Sequence, residues 1–531
     1  MKNFNTIIIG GGISGLYMAY QMIQKGYKDI LLLERSSILG GRIRTDQIDG
    51  YPIELGAARF SNKHTKLLSL IQKLKLDDKK IKLSKDIDFY FKNKKINYDL
   101  HKYLRKLNSN KRKYTREYLE KINLLQYAVE ILGPIEGNKL KDMYGYDAEF
   151  LKLNAYSALL MFQKDLLKDV DYYILKDGLS QIINKLEEYL VGTNKIKLLM
   201  DTNVLDIQKN KVVTDKNNYK CKRIVVTIPQ HDIQRFHIFD DCRVLDSVKN
   251  IPLIRIYAKY PINKEGKVWF HDIQRTITDN FIRHIIPIDY EKGIIMISYT
   301  DYYIAEMWNN LYLLGEDALT NKIQEEIKRL FKIKIPKPLE YNVYYWKSGV
   351  HMWKTNHSMI RSYPKIMKPF SDKKIYISNE SFCKHQCWIE GCLQMVKDVI
   401  RKIKNENKTT KQRGGRKKKR KLTIQNKKHL PKYTIKEVLK HKNWIIFEMK
   451  NQRGIYQISS SWFKNHPGGA DNLKQGVKAN TYYDKTNAER SKKSPLQLFK
   501  SIGAHSSSNV LKEYIMNEKY PKIIKLIGSL K

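Results

Sequence analysis

Cysteine is scarce in this chain: five thiols, Cys221, Cys242, Cys383, Cys387 and Cys392, in 531 residues. So sparse and odd a set excludes a disulfide framework and points to a reducing compartment. The trio Cys383, Cys387 and Cys392 lacks the close paired spacing and the fourth thiol of a zinc site, so buried free thiols are expected. Long apolar runs are missing as well, none approaching the ~20 residues that a membrane span requires. The N-terminus shows no basic region or cleavage site and runs straight into Thr6-Ile7-Ile8-Ile9, a buried strand and not a signal peptide. An intracellular, cytoplasmic protein without a transmembrane segment is expected. Acidic residues are also few, 54 against 99 Lys and Arg, a formal charge of +45. Such a balance attracts nucleic acid or anionic surfaces. Here Lys, Asn, Ile and Tyr are enriched along the whole chain, which reads as compositional bias, so the charge guides only the choice of partners.

What is present is a chain 42% hydrophobic and long enough for two or more domains. Ile7-Ile8-Ile9 leads into Gly10-Gly11-Gly12-Ile13-Ser14-Gly15, and apolar residues then recur at helical spacing through Ile23. Strand, glycine loop and helix in that order form the context in which a GxGxxG pattern signals a dinucleotide. Gly10 permits the turn, Gly12 lets the backbone approach a pyrophosphate, and Gly15 lets helix and strand pack closely. The helix N-terminus offers free N–H groups to the phosphates. A second buried strand, Asp29 to Leu33, ends in Glu34, placed to hold an adenosine ribose. A second glycine pair follows at once, Gly40-Gly41-Arg42 after Arg35, as an extended FAD would require.

These segments resemble the flavin amine oxidase superfamily, whose signature is a GxGxxG, an acid and then a GGR segment. Glu54-Leu55-Gly56-Ala57-Ala58-Arg59 is similar to that family's next flavin-contacting loop. Tyr173 to Ser180 is similar to its return into the FAD domain, and Asn203 to Ile207 and Arg223 to Pro229 to the strands flanking the adenine. Lys374 to Glu380, with Trp388-Ile389-Glu390-Gly391, is similar to its closing flavin segment, with Asn379 where the family has glycine. The resemblance implies an α/β fold, a Rossmann-like FAD domain interleaved with an α+β substrate domain. It implies FAD held by Gly10, Gly12, Ser14, Gly15, Glu34, Arg35, Gly40, Gly41, Arg42, Gly56, Ala57, Arg59, Val204, Glu380 and Ile389. The FAD pieces are expected at about 1–84, 172–254 and 341–404, the substrate domain at about 85–171 and 255–340.

The flavin carries the redox chemistry, so the protein chiefly positions a small-molecule substrate over it. The resemblance places two residues against the reacting centre, Trp388 as an aromatic wall and Arg255 where amine-oxidising relatives often carry a lysine. Arg and Lys differ in donor geometry and in charge permanence, so the swap favours dehydrogenase- or desaturase-like use of the flavin over fast oxidase turnover. The aromatic run Tyr345 to Trp353 should lie near the cavity, with its members unassigned. The rival from another class is an inactive flavin fold that binds nucleic acid or anionic surfaces.

From Arg401 the composition becomes basic and polar, and 405–430 reads as a disordered linker by charge repulsion. Its run at 411–421 offers a contact for nucleic acid or an anionic surface, or a nuclear address. Strand-like Trp444 to Phe447, a turn at Asn451 to Gly454, Ile455 to Ser459 and then His466-Pro467-Gly468-Gly469 resemble a cytochrome b5 domain over 431–531. That resemblance implies a small α+β module with b-type haem (iron) held by His466 and His505, exchanging electrons with the flavin or with a separate donor or acceptor. The two histidines stand 39 apart, wider than the family's usual spacing, with the excess in the polar stretch Asn480 to Ser494.

Overall fold

The computed structural model describes residues 2–165 and 170–423, and beyond them the strands at 432–433, 444–449, 452–458 and 524–530. Two compact units result, Met1–Glu406 and Asn407–Lys531.

In the first unit, the strands that read as unbroken apolar runs are buried on both faces, as parallel strands must be. Thr6–Ile9 and Ile30–Leu33 lie inside a five-stranded sheet whose order is Ile196–Leu199, Ile30–Leu33, Thr6–Ile9, Ile224–Val226, Ile375–Ile377, all parallel. Ile8, Leu32, Val225 and Tyr376 face one side, where they pack on Leu16 and Ile23 of the helix Ile13–Gln24, Leu186 of Ser180–Gly192 and Val396 of Ile389–Thr423. Ile7, Ile9, Leu31 and Val226 face the other. Because the strands run together, the loops after Ile9, Leu33, Val226 and Ile377 converge on one carboxyl edge, where open α/β sheets bind ligands.

The second layer is a seven-stranded sheet built on two long antiparallel neighbours, Val248–Lys259 and Glu340–Trp353, paired from Val248 opposite Trp353 to Lys259 opposite Glu340. The register slips between Ile251 and Leu253. Pro252 sits at the slip, and having no N–H it cannot continue the ladder. Strand alternation then decides which residues see which face. Ile254, Ile256 and Ala258 pack under the helices Tyr302–Leu313 and Glu316–Phe331, whereas Leu253, Arg255 and Tyr257 line a cavity on the opposite face. Both long strands cross the boundaries drawn at 254/255 and 340/341. Composition cannot locate a boundary that runs along a strand.

Short helices from Leu100–Asn110 to Ala155–Asp165 fill the first substrate stretch. The helix Ile389–Thr423 continues across residues expected to be an unstructured linker. Lys, Arg and Gln are good helix formers, and a helix already nucleated by a buried segment propagates through them. In the second unit, Trp444–Met449 and Gln452–Ile458 form a hairpin inside a four-stranded sheet with Ile524–Leu530 and Lys432–Tyr433. Gln452 to Gly454, expected in the turn, belong to the strand. His466 and His505 lie outside the described residues.

Candidate cofactor and active site

A cavity of about 1110 Å³ opens at the carboxyl edge of the parallel sheet and reaches the lower face of the seven-stranded one. Its first part is a cradle of glycines. Gly10, at φ +107, could not carry a side chain without meeting Ile228 at 2.8 Å. Gly12 is different: a Cβ there would have nothing nearer than Gly40 O at 3.8 Å and would enter the cavity. The two glycine segments dock on each other, Gly40 N donating to Gly11 O (2.9 Å), with Gly12 bridging Gly40. Gly15 does not line the cavity; it lies against Gly10 O, closing helix onto loop. The helix Ile13–Gln24 has no side-chain cap, so its first N–H groups are open to an anion.

Glu34 leaves the second strand at the cavity wall, its carboxylate accepting from Gly11 N (2.6 Å) and Ser36 N (2.9 Å). Arg35, largely exposed at the mouth, pairs with Asp232 at 3.2 Å. Val204 opens the strand Val204–Gln208 on the same wall. Ser14, Gly41, Gly56, Ala57 and Ile389 line the cavity too. The residues present therefore fit an FAD: an open glycine cradle, a free helix N-terminus and an acid at the second strand end lie along one trough.

Deeper in, Arg42 donates to Gly349 O (2.8 Å) and Glu380 Oε2 (2.8 Å), while Glu380 also accepts from His351 N (3.1 Å), His351 Nδ1 (2.7 Å) and Cys387 N (3.2 Å). Burial opposes charge on Glu380, but the charge of Arg42, then the charge of His351 and the hydrogen bonds from both, outweigh it and hold the carboxyl at about 2. Burial lowers the His351 pKa below its ordinary value, with Glu380 acting against the shift. Asn379, where the resemblance expects glycine, ties the loop down by donating to Ile228 O (2.6 Å) and accepting from Phe382 N (3.2 Å). Glu390 accepts from Lys66 N and Leu67 N (both 3.0 Å), capping the helix Thr65–Lys73.

The far end is aromatic and cationic. Trp388 lies nearly parallel to Tyr172 (centroids 6.1 Å apart, 20°) and edge-on to His64 (4.7 Å). Arg255, 4% exposed, donates to Glu54 O (2.7 Å) and lies over the Tyr299 ring at 4.4 Å. Arg59 lies over Tyr172 at 5.2 Å. Arg275 joins them, its pKa pushed down to about 10 by burial and the neighbouring Arg59. Burial and Arg275, Arg59 and Arg283 keep His284 neutral. Among the described residues no carboxylate stands within ion-pair distance of Arg59, Arg255 or Arg275. Among the carboxyls at this end, Glu149 is raised to about 8 by burial and Asp301, and Asp301 to about 7 by burial and Asp147.

His351, Arg275 and Glu149 were not singled out from the sequence. His351 sat in the unassigned aromatic run, of which Tyr345, Trp346 and Val350 line the cavity while Trp353 goes to the core, donating to Cys383 O (3.1 Å). Arg275 and Glu149 carry no local motif. Cys221, Cys383 and Cys392 are buried free thiols, and Cys242 and Cys387 are half-buried.

Fold and trough together define an α/β protein in which a seven-stranded sheet faces the glycine-lined carboxyl edge of a parallel sheet across one cavity. The sequence matches the family of flavin containing amine oxidoreductases over residues 13–395, and the chain belongs to that family. That family is described as one of flavin-containing oxidoreductases. Among curated proteins it is 40% identical to coproporphyrinogen III oxidase of Mycobacterium tuberculosis over 76 residues, 14% of this chain and 17% of that one. It is 30% identical to L-amino acid oxidase Lm29 of Lachesis muta over 178 residues, 33% of this chain and 31% of the other. The chain thus spans a third or less of the length of these relatives. The fold is similar to that of a putrescine oxidase redesigned in cofactor binding (TM-score 0.62, 15% identity, covering 76% of this chain and 99% of that one). An Exiguobacterium protein assigned as a protoporphyrinogen oxidase is similar too (TM-score 0.59, 16% identity, the same coverage). Among the described residues no helix is long and apolar enough to cross a membrane.

Proposed function

We propose that this chain oxidises a small molecule that carries a carboxylate beside an amine, with FAD as the bound electron acceptor. Gly10, Gly12, Ser14, Gly40 and Gly41 would hold the pyrophosphate, with Gly15 closing the loop beneath. Glu34 and Arg35 would take the ribose, Val204 the adenine, and Arg42, Gly56, Ala57, Glu380 and Ile389 the flavin half. FAD, when bound, supplies the two-electron acceptor. The protein supplies the rest: Trp388 and Tyr172 wall the substrate in, the buried trough excludes water, and Arg59 and Arg275 orient an anion.

One observation carries the reading. Buried charges are nearly always paired, yet buried Arg255 and half-buried Arg59 and Arg275 face one cavity with, among the described residues, no carboxylate in ion-pair range. Arg255 is committed to Glu54 O and the Tyr299 face, which leaves Arg59 and Arg275 for a ligand. The name of the Lachesis relative points the same way, since an L-amino acid carries a carboxylate next to its amine. Arg255 in place of a mobile lysine favours passing electrons to an acceptor other than oxygen. The His466-Pro467-Gly468-Gly469 motif and His505 support a b-type haem in the second unit as that acceptor.

Purified protein should be yellow and release FAD on denaturation. Mixed anaerobically with L-amino acids it should bleach, and Arg59→Met should raise the concentration for half-maximal bleaching at least tenfold. A colourless protein that binds DNA tightly at physiological salt would overturn the enzyme reading.

A further inference from the structure

The carboxyls at the cationic end of the cavity are not equivalent. Asp301 spends both oxygens on backbone, accepting from Asp147 N (2.9 Å) and Ala148 N (3.0 Å), and so anchors the short helix Asp147–Leu151 to the end of the strand Ile294–Asp301. Asp147, fully buried and outside the cavity lining, is paired with Arg283 through Oδ1, its Oδ2 having no hydrogen-bond partner. Glu54 accepts from Leu179 N (2.6 Å) and Thr45 Oγ1 (3.0 Å). Glu149 lines the same cavity, is 8% exposed, and its Oε2 is shut off from solvent with no hydrogen-bond partner. A buried carboxyl oxygen with no partner is costly to maintain, and this one sits at the wall where a substrate would lie.

We infer that Glu149 is the proton acceptor of the reaction, taking a proton from the ammonium group of the substrate before its C–H bond is oxidised. The inference rests on the amine-and-carboxylate substrate proposed above. The step is a single transfer: the N–H bond breaks, its electron pair stays on nitrogen, and an O–H bond forms on Glu149. A free amine can then give up electrons that an ammonium cannot. Arg59, held at the same end, would fix the carboxylate and so direct the amine.

The groups around Glu149 set its proton affinity. Burial acts first, then the negative neighbours Asp301 and Asp147 act in the same direction, and Arg59 acts against them. Tyr144 and Cys387 also lie within electrostatic reach of it. With an affinity near 8 the carboxyl holds its proton at neutral pH and becomes a base as the pH rises through that value, the range in which a general base is effective.

The test uses the FAD-loaded full chain. Flavin bleaching by L-leucine and by L-phenylalanine is followed anaerobically from pH 6 to 10, for wild type, Glu149→Gln and Glu149→Asp. Benzoate, which has the carboxylate and no amine, is titrated in parallel through its perturbation of the flavin spectrum. Wild type should show a limb rising through pH 8 with both amino acids, despite their different amines. Glu149→Gln should lose that limb and bleach roughly 10²–10⁴-fold more slowly, with benzoate affinity unchanged within threefold. Glu149→Asp should be slower than wild type and keep the limb. Infrared pH-difference spectra should show a protonated-carboxyl band that titrates in wild type and is missing in Glu149→Gln. Equal bleaching rates and limbs in wild type and Glu149→Gln would overturn the inference, as would a collapse of benzoate binding, which would mark Glu149 as structural. Failure of both amino acids to bleach wild type that still binds benzoate would remove the substrate reading and the inference with it.

Discussion

Arg42 and Glu380 come from opposite ends of the first unit and meet at 2.8 Å beneath the cavity, with side chains 24% and 7% exposed. Holding Glu380 at about 2 against its ordinary 4.5 corresponds to about 3 kcal/mol of folded-state stabilisation, at about 1.4 kcal/mol per unit. For a carboxyl whose folded pKa is depressed, that stability is fully present above 4.5 and is lost as the pH falls toward 2. Between pH 5 and 8 the wild type should therefore be insensitive to this group. Arg42→Met keeps the packing of the stem and removes the charge, leaving a buried carboxylate whose remaining support is His351 and two backbone N–H groups. The cost should be about 3–5 kcal/mol. Burial then raises the Glu380 pKa above 4.5, so the penalty should be larger at pH 8 than at pH 5. Glu380→Gln strands Arg42 in turn, and the double variant should lose about 3 kcal/mol less than the sum of the singles. Urea unfolding of the flavin-free full chain by tryptophan fluorescence, at both pH values, measures all four proteins without cofactor linkage. Additive losses, or an Arg42→Met penalty equal at pH 5 and pH 8, would refute the account.

Gly12→Ala should leave the flavin-free fold intact and weaken FAD binding at least tenfold by equilibrium dialysis, because its Cβ meets only open cavity. Gly15→Ala, whose Cβ would collide with Gly10 O, should lower both FAD affinity and the thermal midpoint. Arg255→Lys gives up the 2.7 Å bond to Glu54 O; reduced flavin should then be reoxidised faster in air in a stopped-flow trace, and an unchanged rate would detach Arg255 from oxygen chemistry. Lys432–Lys531 with added haemin should give sharp low-spin bands on reduction, absent in His466→Ala and in His505→Ala; no uptake by wild type would end the haem reading.

The glycine loop, Glu34 and the buried strands were legible because their signals are local: spacing within a dozen residues dictates turn, close approach and burial. Arg42 and Glu380 were legible only through resemblance. Their partner His351 was not, because it reaches Glu380 through the antiparallel register that sets Asn250 opposite His351, a pairing about a hundred residues apart in sequence. Arg275 and Glu149 escaped for the same reason: each is an ordinary polar residue until strand and helix packing aims it into one cavity. The basic stretch after Arg401 misled in the other direction, since charge argued against order while intrinsic helix propensity and the buried start of the helix argued for it.

The parallel sheet has an implication for synthesis. Its first strand, Thr6–Ile9, lies beside Ile224–Val226, which in turn needs Ile375–Ile377 as its outer neighbour. A ribosome adding 5–20 residues per second would need on the order of 20–75 s to deliver that last strand after the first. Through that interval the nascent sheet presents an unsatisfied apolar edge, and pairings this distant in sequence form slowly even when all strands are available. Yield of soluble protein should therefore respond to elongation rate and to holdase chaperones more than to any single contact in the finished fold.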